Sequence, residues 1–379
     1  MDEKNREDTL NDINETVEET NELADNEAQV KCPSCGGIMT YSPTSGNLKC
    51  IYCGSEKELD KTPAELTGHL LEEWKEATEE EQTHKSIDIK CEQCGATTTL
   101  AGNVASSKCP FCGSPLVNSN AKTRNCYEAE YILTFAFDSK NCKGAYKKWL
   151  SGKWFAPSQL KKEAADPASF QGVYLPFWGY DANTQTYYRG QRGESRTRTV
   201  SRNGKDETET YTEWYDVSGH VCLDFNNLMI SASDTMPASI LDDIRNWDLK
   251  ACVPYNKEFV SGFTSEIYQH DFKECYPKAQ KKMNSEIDTA IRRDIGGSKQ
   301  RIDSKNTDYQ NVAFKYCLLP VWISSFKYDN KLYRFVINGY SGEVVGEYPK
   351  SKWKIAFVIF CIVAAISLFY YYFFMVNAF

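Results

Sequence analysis

The chain has 379 residues, a formal net charge of −8 and 41% hydrophobic residues, so it exceeds the usual size of one domain and is apolar enough to be globular. The negative charge is concentrated at one end. Residues 1–30 carry eleven acidic residues against Lys4 and Arg6, and the other 349 residues sum to about +1, which excludes a general acidic bias.

Residues 1–30 contain no aromatic residue and few aliphatic ones. Such a segment cannot bury enough apolar surface to offset the entropy lost on ordering, so we expect a disordered acidic tail. It also lacks the basic and apolar regions of a signal peptide. Fifteen cysteines without a secretory signal indicate reduced thiols and metal ligation in the cytosol rather than a disulfide framework.

The first folded module is predicted at residues 31–56, where "KCPSCGGIMTYSPTSGNLKCIYCG" contains two Cys-x-x-Cys pairs. Adding 59 to each cysteine number gives cysteine again, which predicts a second module at residues 90–118. The eight predicted metal ligands are Cys32, Cys35, Cys50, Cys53, Cys91, Cys94, Cys109 and Cys112. Gly36 and Gly95 follow the first pair of each copy, where a positive φ is often required. Four thiolates on two such knuckles are typical of tetrahedral zinc, so the sequence predicts two zinc ribbons with two Zn²⁺ per chain.

Two other uses of these cysteines are an iron–sulfur cluster and a redox dithiol. A redox pair normally begins a helix in a βαβ unit, and no such pattern surrounds these motifs. A four-thiolate zinc site has no open coordination position, so we expect the metal to be architectural and to supply the folding energy of each small ribbon.

A helical linker is expected over residues 57–89. The stretch "PAELTGHLLEEWKEATEEEQ" has Leu66, Leu70 and Trp74 at four-residue spacing, which indicates an amphipathic helix. His69 and His84 also lie in this linker, but four cysteines already complete each zinc site. We expect both histidines to be solvated or to have packing roles.

Residues 125–349 form the largest predicted domain, of α+β class with many antiparallel strands. "YILTFAF" is expected to be a strand, "SKNCKGAYKKWLSGKW" a helix and "VYLPFWGYDANTQTYY" extended, and a long helix is expected from about Thr264 to Arg293. Hairpin signals occur at Asp329-Asn330 and Asn338-Gly339. "LPFW" at 175–178 and "LPVW" at 319–322 suggest a weaker internal repeat, with the tryptophans in the core.

The most basic stretch is "YYRGQRGESRTRTVSRNGKDETETYTEWY", and it raises the alternative of nucleic-acid binding. Asn203-Gly204 predicts a two-residue turn, which pairs residues whose numbers sum to 407. Arg198 then faces Glu209, and Thr197 faces Thr210. Cross-strand ion pairs therefore explain the arginines without nucleic acid.

The last predicted element is a transmembrane helix at residues 355–376, "IAFVIFCIVAAISLFYYYFFMV", which contains no charged residue. A helix of this length spans about 33 Å, enough for a hydrocarbon core of about 30 Å. Lys350, Lys352 and Lys354 precede it, so the positive-inside rule predicts a single-pass protein of the inner membrane. Its N-terminal region is expected in the cytoplasm and its C-terminus outside.

The tandem cysteine motifs, "GVYLPFWGYDA", "LPVWISSFKYDNKLYRFVINGYSGEVVGEYPKS" and the terminal apolar helix together resemble a bacterial family of membrane-anchored double zinc-ribbon proteins. Its members are often labelled transcription-factor-B-type zinc ribbon proteins or likened to the zinc region of the primosomal helicase, whose phosphate loop this sequence lacks. They are commonly encoded near SPFH and phage-shock membrane-stress proteins. The resemblance implies a scaffold at the membrane surface and brings no catalytic residues.

Three functions follow from these observations. The first is a non-enzymatic membrane adaptor that recruits protein partners, of SPFH type by the resemblance. The second is a membrane-associated nucleic-acid binder, which needs a basic surface that residues 31–118 offer only weakly. The third is an enzyme with an unfamiliar site. The sequence contains no phosphate loop, H-E-x-x-H or G-x-S-x-G motif, and His220 and His270 stand alone, so we expect no catalysis.

Overall fold

The computed structural model describes most of the chain from residue 30 to residue 377. The described ranges are 30–73, 83–92, 97–100, 106–109, 114–117, 121–163, 170–202, 205–329 and 331–377. The predicted acidic tail, apart from residue 30, therefore lies outside the described residues.

The N-terminal third is built from short strands. They are β1 (Met39–Ser42), β2 (Asn47–Cys50), β3 (Glu56–Lys57), β4 (His69–Leu70), β5 (Thr83–Lys90), β6 (Thr97–Leu100), β7 (Ser106–Lys108), β8 (Pro115–Val117) and β9 (Ala121–Tyr127). Three small antiparallel sheets result, with strand orders β1-β2-β3, β6-β5-β9 and β7-β8.

The helix expected within residues 57–89 is wrong for every described part of that range. Residues 58–68 are irregular, His69–Leu70 is a strand, and Thr83–Lys90 is another strand, while Trp74 lies outside the described residues. Pairing with a distant strand outweighs the helical preference that the leucine spacing indicates. Leu70 pairs with Ala313 in a strand of the central sheet, and the Leu71 amide donates to the Val312 carbonyl oxygen at 2.8 Å.

The central domain combines a large, mostly antiparallel sheet with helices, as predicted. Its strands are β10 (Tyr131–Ile132), β11 (Gln171–Arg202), β12 (Lys205–Ser231), β13 (Val253–Pro254), β14 (Thr264–Ser265), β15 (Lys299–Tyr328), β16 (Lys331–Asn338) and β17 (Val344–Gly346). Its helices are α1 (Ser139–Gly152), α2 (Ser158–Glu163), α3 (Ala238–Asp243) and α4 (Phe272–Ile295), with 3-10 turns at Leu249–Ala251 and Lys257–Val260. The main strand order is β12-β11-β15-β10-β13.

The apolar side chains of β11 and β15 alternate between the two faces of this sheet, as a period of two requires. Tyr174 and Trp178 belong to one buried cluster, while Val173, Leu175 and Phe177 belong to the other. The two LP-x-W segments pair with each other, because Leu175 lies opposite Leu319. Both tryptophans are buried, and each indole donates to a backbone carbonyl, that of Trp178 to His270 and that of Trp322 to Phe137.

The long helix α4 covers one face of the three longest strands. It begins at Phe272 rather than near Thr264, because the Asp271 carboxylate accepts the Glu274 amide at 2.7 Å and so caps its first turn. Its buried residues recur at three- and four-residue spacing. They are Phe272, Cys275, Ala279, Met283, Ile287, Ile291 and Ile295.

The basic hairpin has the predicted register. Arg202 pairs with Lys205, Arg198 lies opposite Glu209, and their side chains form an ion pair of 2.9 Å between guanidinium and carboxylate. The turn itself, Asn203-Gly204, lies outside the described residues. Arg196 reaches Glu213 diagonally across the strands at 3.3 Å, because the residue directly opposite Arg196 is Tyr211. Two of the arginines are thus paired with acids on the opposite strand, as the sequence predicts for Arg198, whereas Arg192 pairs with Glu194 on its own strand.

The terminal helix α5 (Lys352–Asn377) includes the predicted apolar span. Within its segment Lys352–Phe374, an 18-residue window has a mean hydropathy of 2.3, and none of that window is buried against the rest of the chain. At 1.5 Å per residue, its 23 residues measure about 35 Å. By length and composition this helix can cross a bilayer.

Candidate metal centre

The first ribbon brings its four cysteines together with a short hairpin. Cys32 and Cys35 lie on the turn before β1, Cys50 is the last residue of β2, and Cys53 lies between β2 and β3. Strands β1 and β2 pair antiparallel with Met39 opposite Cys50. This register places the turn that carries the first pair beside the turn that carries the second.

Each Cys-x-x-Cys pair forms a knuckle closed by a backbone hydrogen bond. The Gly36 amide donates to the Cys32 carbonyl oxygen at 2.8 Å, and the Gly54 amide donates to that of Cys50 at 3.1 Å. Gly36 has φ of 72° and Gly54 has φ of 75°. The prediction that glycine supplies a positive φ after the second cysteine is therefore confirmed for Gly36, and Gly54 shows the same geometry.

The four sulfur atoms of Cys32, Cys35, Cys50 and Cys53 all lie within 4.8 Å of one another. The Sγ atoms of Cys32 and Cys53 are 3.6 Å apart, and those of Cys35 and Cys50 are 3.5 Å apart. A tetrahedron with Zn–S bonds of about 2.3 Å has edges of about 3.8 Å. This cluster can therefore hold one zinc ion, with all four ligands from protein sulfur.

The thiols of this cluster influence each other's ionisation. Hydrogen bonds from the Ser55 hydroxyl and amide lower the pKa of Cys53 to about 6. The Gly37 amide lowers the pKa of Cys35, but the thiols of Cys50 and Cys53 outweigh it and raise that pKa to about 12. Adjacent thiolates repel one another, so ionising all four together requires a cation among them.

Burial divides the ligands into two kinds. Cys32 and Cys50 are buried, whereas Cys35 and Cys53 face solvent. Between Cys50 and Cys53, Ile51 is 59% exposed and Tyr52 is 72% exposed. The Tyr52 ring lies against the backbone of Gly37, where an added Cβ would come within 2.4 Å of it. Neither residue was predicted to be functional from the sequence, although two apolar residues between two metal ligands indicate an exposed apolar surface.

The first ribbon is joined to the central domain by contacts on its opposite side. The Tyr41 amide donates to the Ser261 carbonyl oxygen at 2.9 Å, and the Tyr41 hydroxyl donates to that of Phe135 at 3.2 Å. The Tyr41 ring also meets Phe259 edge-on at 6.0 Å. Met39 and Leu48 are fully buried in the same apolar cluster as the central sheet. The ribbon thus shares the core of the domain rather than folding on the metal alone.

Of the predicted second ribbon, the structure describes only part. Cys91 and Cys109 are buried, and Cys94 and Cys112 lie outside the described residues. Part of what is described repeats the first ribbon, but β6, the counterpart of β1, pairs with β5 and lies in a different sheet from β7, the counterpart of β2. The Cys109 amide donates to the Ser114 carbonyl oxygen at 2.7 Å, as Cys50 does to Ser55 at 2.8 Å, and Lys108 pairs with Pro115 as Lys49 pairs with Glu56.

The histidines lie apart from the cysteine cluster. His69 has the packing role that was predicted, with Nε2 at 3.2 Å from Glu130 Oε2 and its ring 5.8 Å from that of Phe314. His220 contacts the Tyr187 ring at 5.7 Å. His270 does not stand alone, because its ring lies between the carboxylates of Asp234 and Glu274 at 2.5 and 3.2 Å. Asp234 and His270 are 36 residues apart, so no local sequence motif indicates that they pair.

Comparison with known proteins adds one relative. A protein of Bacillus subtilis (strain 168), named uncharacterized protein YdjG, is 26% identical over 327 residues, which cover 86% of this chain and 91% of that protein. No protein-family model matches the chain. No solved structure matches it either.

Proposed function

We propose that this chain is a membrane-tethered adaptor whose zinc ribbons recruit a protein partner to the cytoplasmic face of the membrane. The observation that carries the proposal is the exposed pair Ile51 and Tyr52 on the metal-binding knuckle. Aliphatic and aromatic side chains on a rigid backbone are typical of protein-binding surfaces, because little entropy is lost when they are buried.

The rigidity of this knuckle has two sources. The four cysteines fix one side, and the buried hairpin residues Met39, Tyr41 and Leu48 fix the other. A closed four-thiolate zinc has no position for a substrate or an activated water. The site therefore supports a structural and binding role, and the adaptor is proposed as non-enzymatic.

A second zinc is proposed for Cys91, Cys94, Cys109 and Cys112. It is supported by the repeated spacing and by the hydrogen bond and strand register that the described residues of both ribbons share. In this copy, Pro110 and Phe111 replace Ile51 and Tyr52 between the cysteines. An aromatic residue therefore precedes the last cysteine in both ribbons.

Membrane insertion is proposed for α5, in a single pass with the N-terminal region in the cytoplasm. No residue of the segment Lys352–Phe374 is buried in the folded chain, and contact of so many apolar side chains with water is unfavourable. Lys350, Lys352 and Lys354 mark the cytoplasmic end. The sequence resemblance described above suggests SPFH-type membrane proteins as partners.

The proposal is tested with a photo-crosslinking amino acid in the full chain, placed at Tyr52 or, as a control, at Tyr211. Tyr211 is also an exposed tyrosine, 40% accessible, but it lies on the distal hairpin. We expect position 52 to form a protein adduct in intact cells, resistant to nuclease and lost when Cys32→Ser removes a ligand. The control position should not form that adduct.

Two results would overturn the adaptor. One is an adduct of equal yield from both positions, which would indicate random encounters. The other is an adduct at position 52 that nuclease removes, which would favour the nucleic-acid binder. Zinc content of each labelled chain shows whether the ribbon is intact in the comparison.

A further inference from the structure

A second segment of the chain has a composition typical of membrane-binding surfaces, although it lies far from α5 in sequence. Residues 139–162, which contain α1 and most of α2, include seven lysines and no acidic residue. Three further lysines, Lys350, Lys352 and Lys354, precede or begin α5. In a chain whose charge beyond residue 30 is almost balanced, ten lysines in two short segments are a strong local concentration.

The structure joins these two segments directly. The Lys354 ammonium donates to the carbonyl oxygens of Trp154 and Ala156 at 3.0 and 2.7 Å. The Ser351 amide donates to that of Phe155 at 2.8 Å. The Lys354 ammonium also lies 5.8 Å from the Trp154 ring centre. The turn after α1 is therefore bound to the first turn of α5.

Aromatic contacts extend this attachment into α1 itself. The Trp149 ring meets the Tyr348 ring edge-on at 5.9 Å, and the Lys153 ammonium lies 5.0 Å from the first ring and 5.6 Å from the second. Cys142, Tyr146 and Leu150 anchor the inner face of α1 in the core. The helix is thus fixed both to the central domain and to the segment that leads into α5.

The outer side of α1 presents its charge to solvent. Lys140, Lys147 and Lys148 are exposed. Neither Lys147 nor Lys148 forms an ion pair with an acidic residue in the part of the chain that the structure describes. Lys148 also lines an open groove of about 700 Å³ that runs along α1.

Two indole side chains lie at the same junction. Trp154 is 53% exposed and Trp353 is 87% exposed. Large aromatic residues are costly to leave in water, but they are enriched where protein passes through the headgroup region of a bilayer. Their position beside the start of α5 places the turn after α1 at the same depth as that region.

We propose that α1 and the turn 153–156 form a membrane-facing surface that binds the headgroups of anionic phospholipids in the leaflet that α5 enters. This inference rests on the proposed membrane insertion of α5. Unpaired lysines next to a membrane helix are attracted by the negative surface potential, and each strengthens binding about fivefold. The surface would fix the orientation of the central domain, and with it the first ribbon, relative to the bilayer.

The experiment uses the purified full chain in non-ionic detergent with equimolar phosphatidylcholine and phosphatidylglycerol, and native mass spectrometry counts each bound lipid. The test variant is Lys140→Gln/Lys147→Gln/Lys148→Gln. The matched control is Lys250→Gln/Lys278→Gln/Lys281→Gln, which removes three exposed lysines elsewhere. We expect phosphatidylglycerol to be enriched over phosphatidylcholine on the wild-type chain and on the control. In the test variant, the ratio of bound phosphatidylglycerol to bound phosphatidylcholine should fall at least about tenfold.

The other outcomes overturn the proposal in distinguishable ways. If the test variant and the control behave alike while the chain resists alkaline carbonate extraction from membranes, the α1 surface is not a lipid site and the membrane anchor stands. If carbonate extracts the chain, both the anchor and this inference are wrong. If a 20-nucleotide DNA or RNA displaces phosphatidylglycerol and the same lysine variant abolishes its binding, the surface is a nucleic-acid site. Equal thermal unfolding of the two variants confirms that their folds are intact.

Discussion

The two cysteine modules share their cysteine spacing but differ at the three positions that attach the first ribbon to the core. Adding 59 to Met39, Tyr41 and Leu48 gives Thr98, Leu100 and Ser107. In the first ribbon those three residues are 0%, 4% and 0% exposed and belong to the cluster that fills the central sheet. Two of the three counterparts are polar.

This difference separates two properties of a ribbon, the geometry of its metal-binding knuckles and its attachment to the central domain. The knuckle geometry depends on cysteine and glycine, which both copies contain in sequence, and the described Cys109 shares with Cys50 a hydrogen bond from its amide to a serine carbonyl oxygen. Attachment of the first ribbon to the domain depends on Met39, Tyr41 and Leu48, whereas in the second copy Cys91 and Cys109 are the described residues that join a core cluster. We therefore expect metal binding to be the main source of stability in the second ribbon, and to share that role with core packing in the first.

The largest expected effect comes from removing one ligand in each ribbon. Zinc binding contributes about 10 to 16 kcal/mol to the folding of small zinc peptides. Cys109→Ser should abolish amide protection in β7, whereas Cys50→Ser should leave measurable protection in the matching strand β2 because the packing of Leu48 on the core persists. Hydrogen exchange on the full chain measures both. Equal loss of amide protection in the two ribbons would show that core packing does not stabilise the first ribbon.

A smaller effect is expected from the apolar residue that distinguishes the copies. Leu48→Ala removes a fully buried side chain and should lower the opening free energy of β2, the strand that contains it, by about 2 to 5 kcal/mol. The matched substitution Ser107→Ala should change that of β7 by less than about 0.5 kcal/mol. Hydrogen exchange again gives the opening free energies. A Leu48→Ala effect as small as that of Ser107→Ala would contradict the shared core.

The smallest effect concerns the backbone of the first knuckle, whose glycine recurs in the sequence of the second copy as Gly95. Gly36→Ala places a Cβ at φ of 72°, where no atom lies within 4 Å of it, so the cost is backbone strain of about 1 to 2 kcal/mol. Zinc affinity, measured by chelator competition, should fall about 5- to 30-fold without loss of the site. No change in affinity would show that the positive φ is not required for binding.

The parts of the fold that depend on neighbouring residues could be predicted from the sequence. Asn203-Gly204 fixed the hairpin register because a two-residue turn leaves one pairing, and Arg198 indeed faces Glu209. The first metal cluster followed from cysteine spacing for the same reason. The turn predicted at Asn338-Gly339 was located less accurately. Its turn runs to Glu343, because the Asn338 side-chain oxygen accepts the amides of Tyr340 and Ser341.

The parts that depend on distant residues could not be predicted. Leu66 and Leu70 have helical spacing, but β15, more than 240 residues later, offers a strand edge that holds Leu70 in an extended conformation. The contact between Lys354 and the turn at Trp154 joins residues 200 apart, and no local pattern encodes it. The exposure of Ile51 and Tyr52 likewise depends on which side of the ribbon faces the domain.

We propose above all that cysteine-bound zinc stabilises both ribbons, and elemental analysis of the purified full chain tests this most directly. The account predicts about two zinc ions per chain in the wild type and about one after either Cys32→Ser or Cys91→Ser. Iron in place of zinc, no metal, or two zinc ions retained by both variants would contradict it.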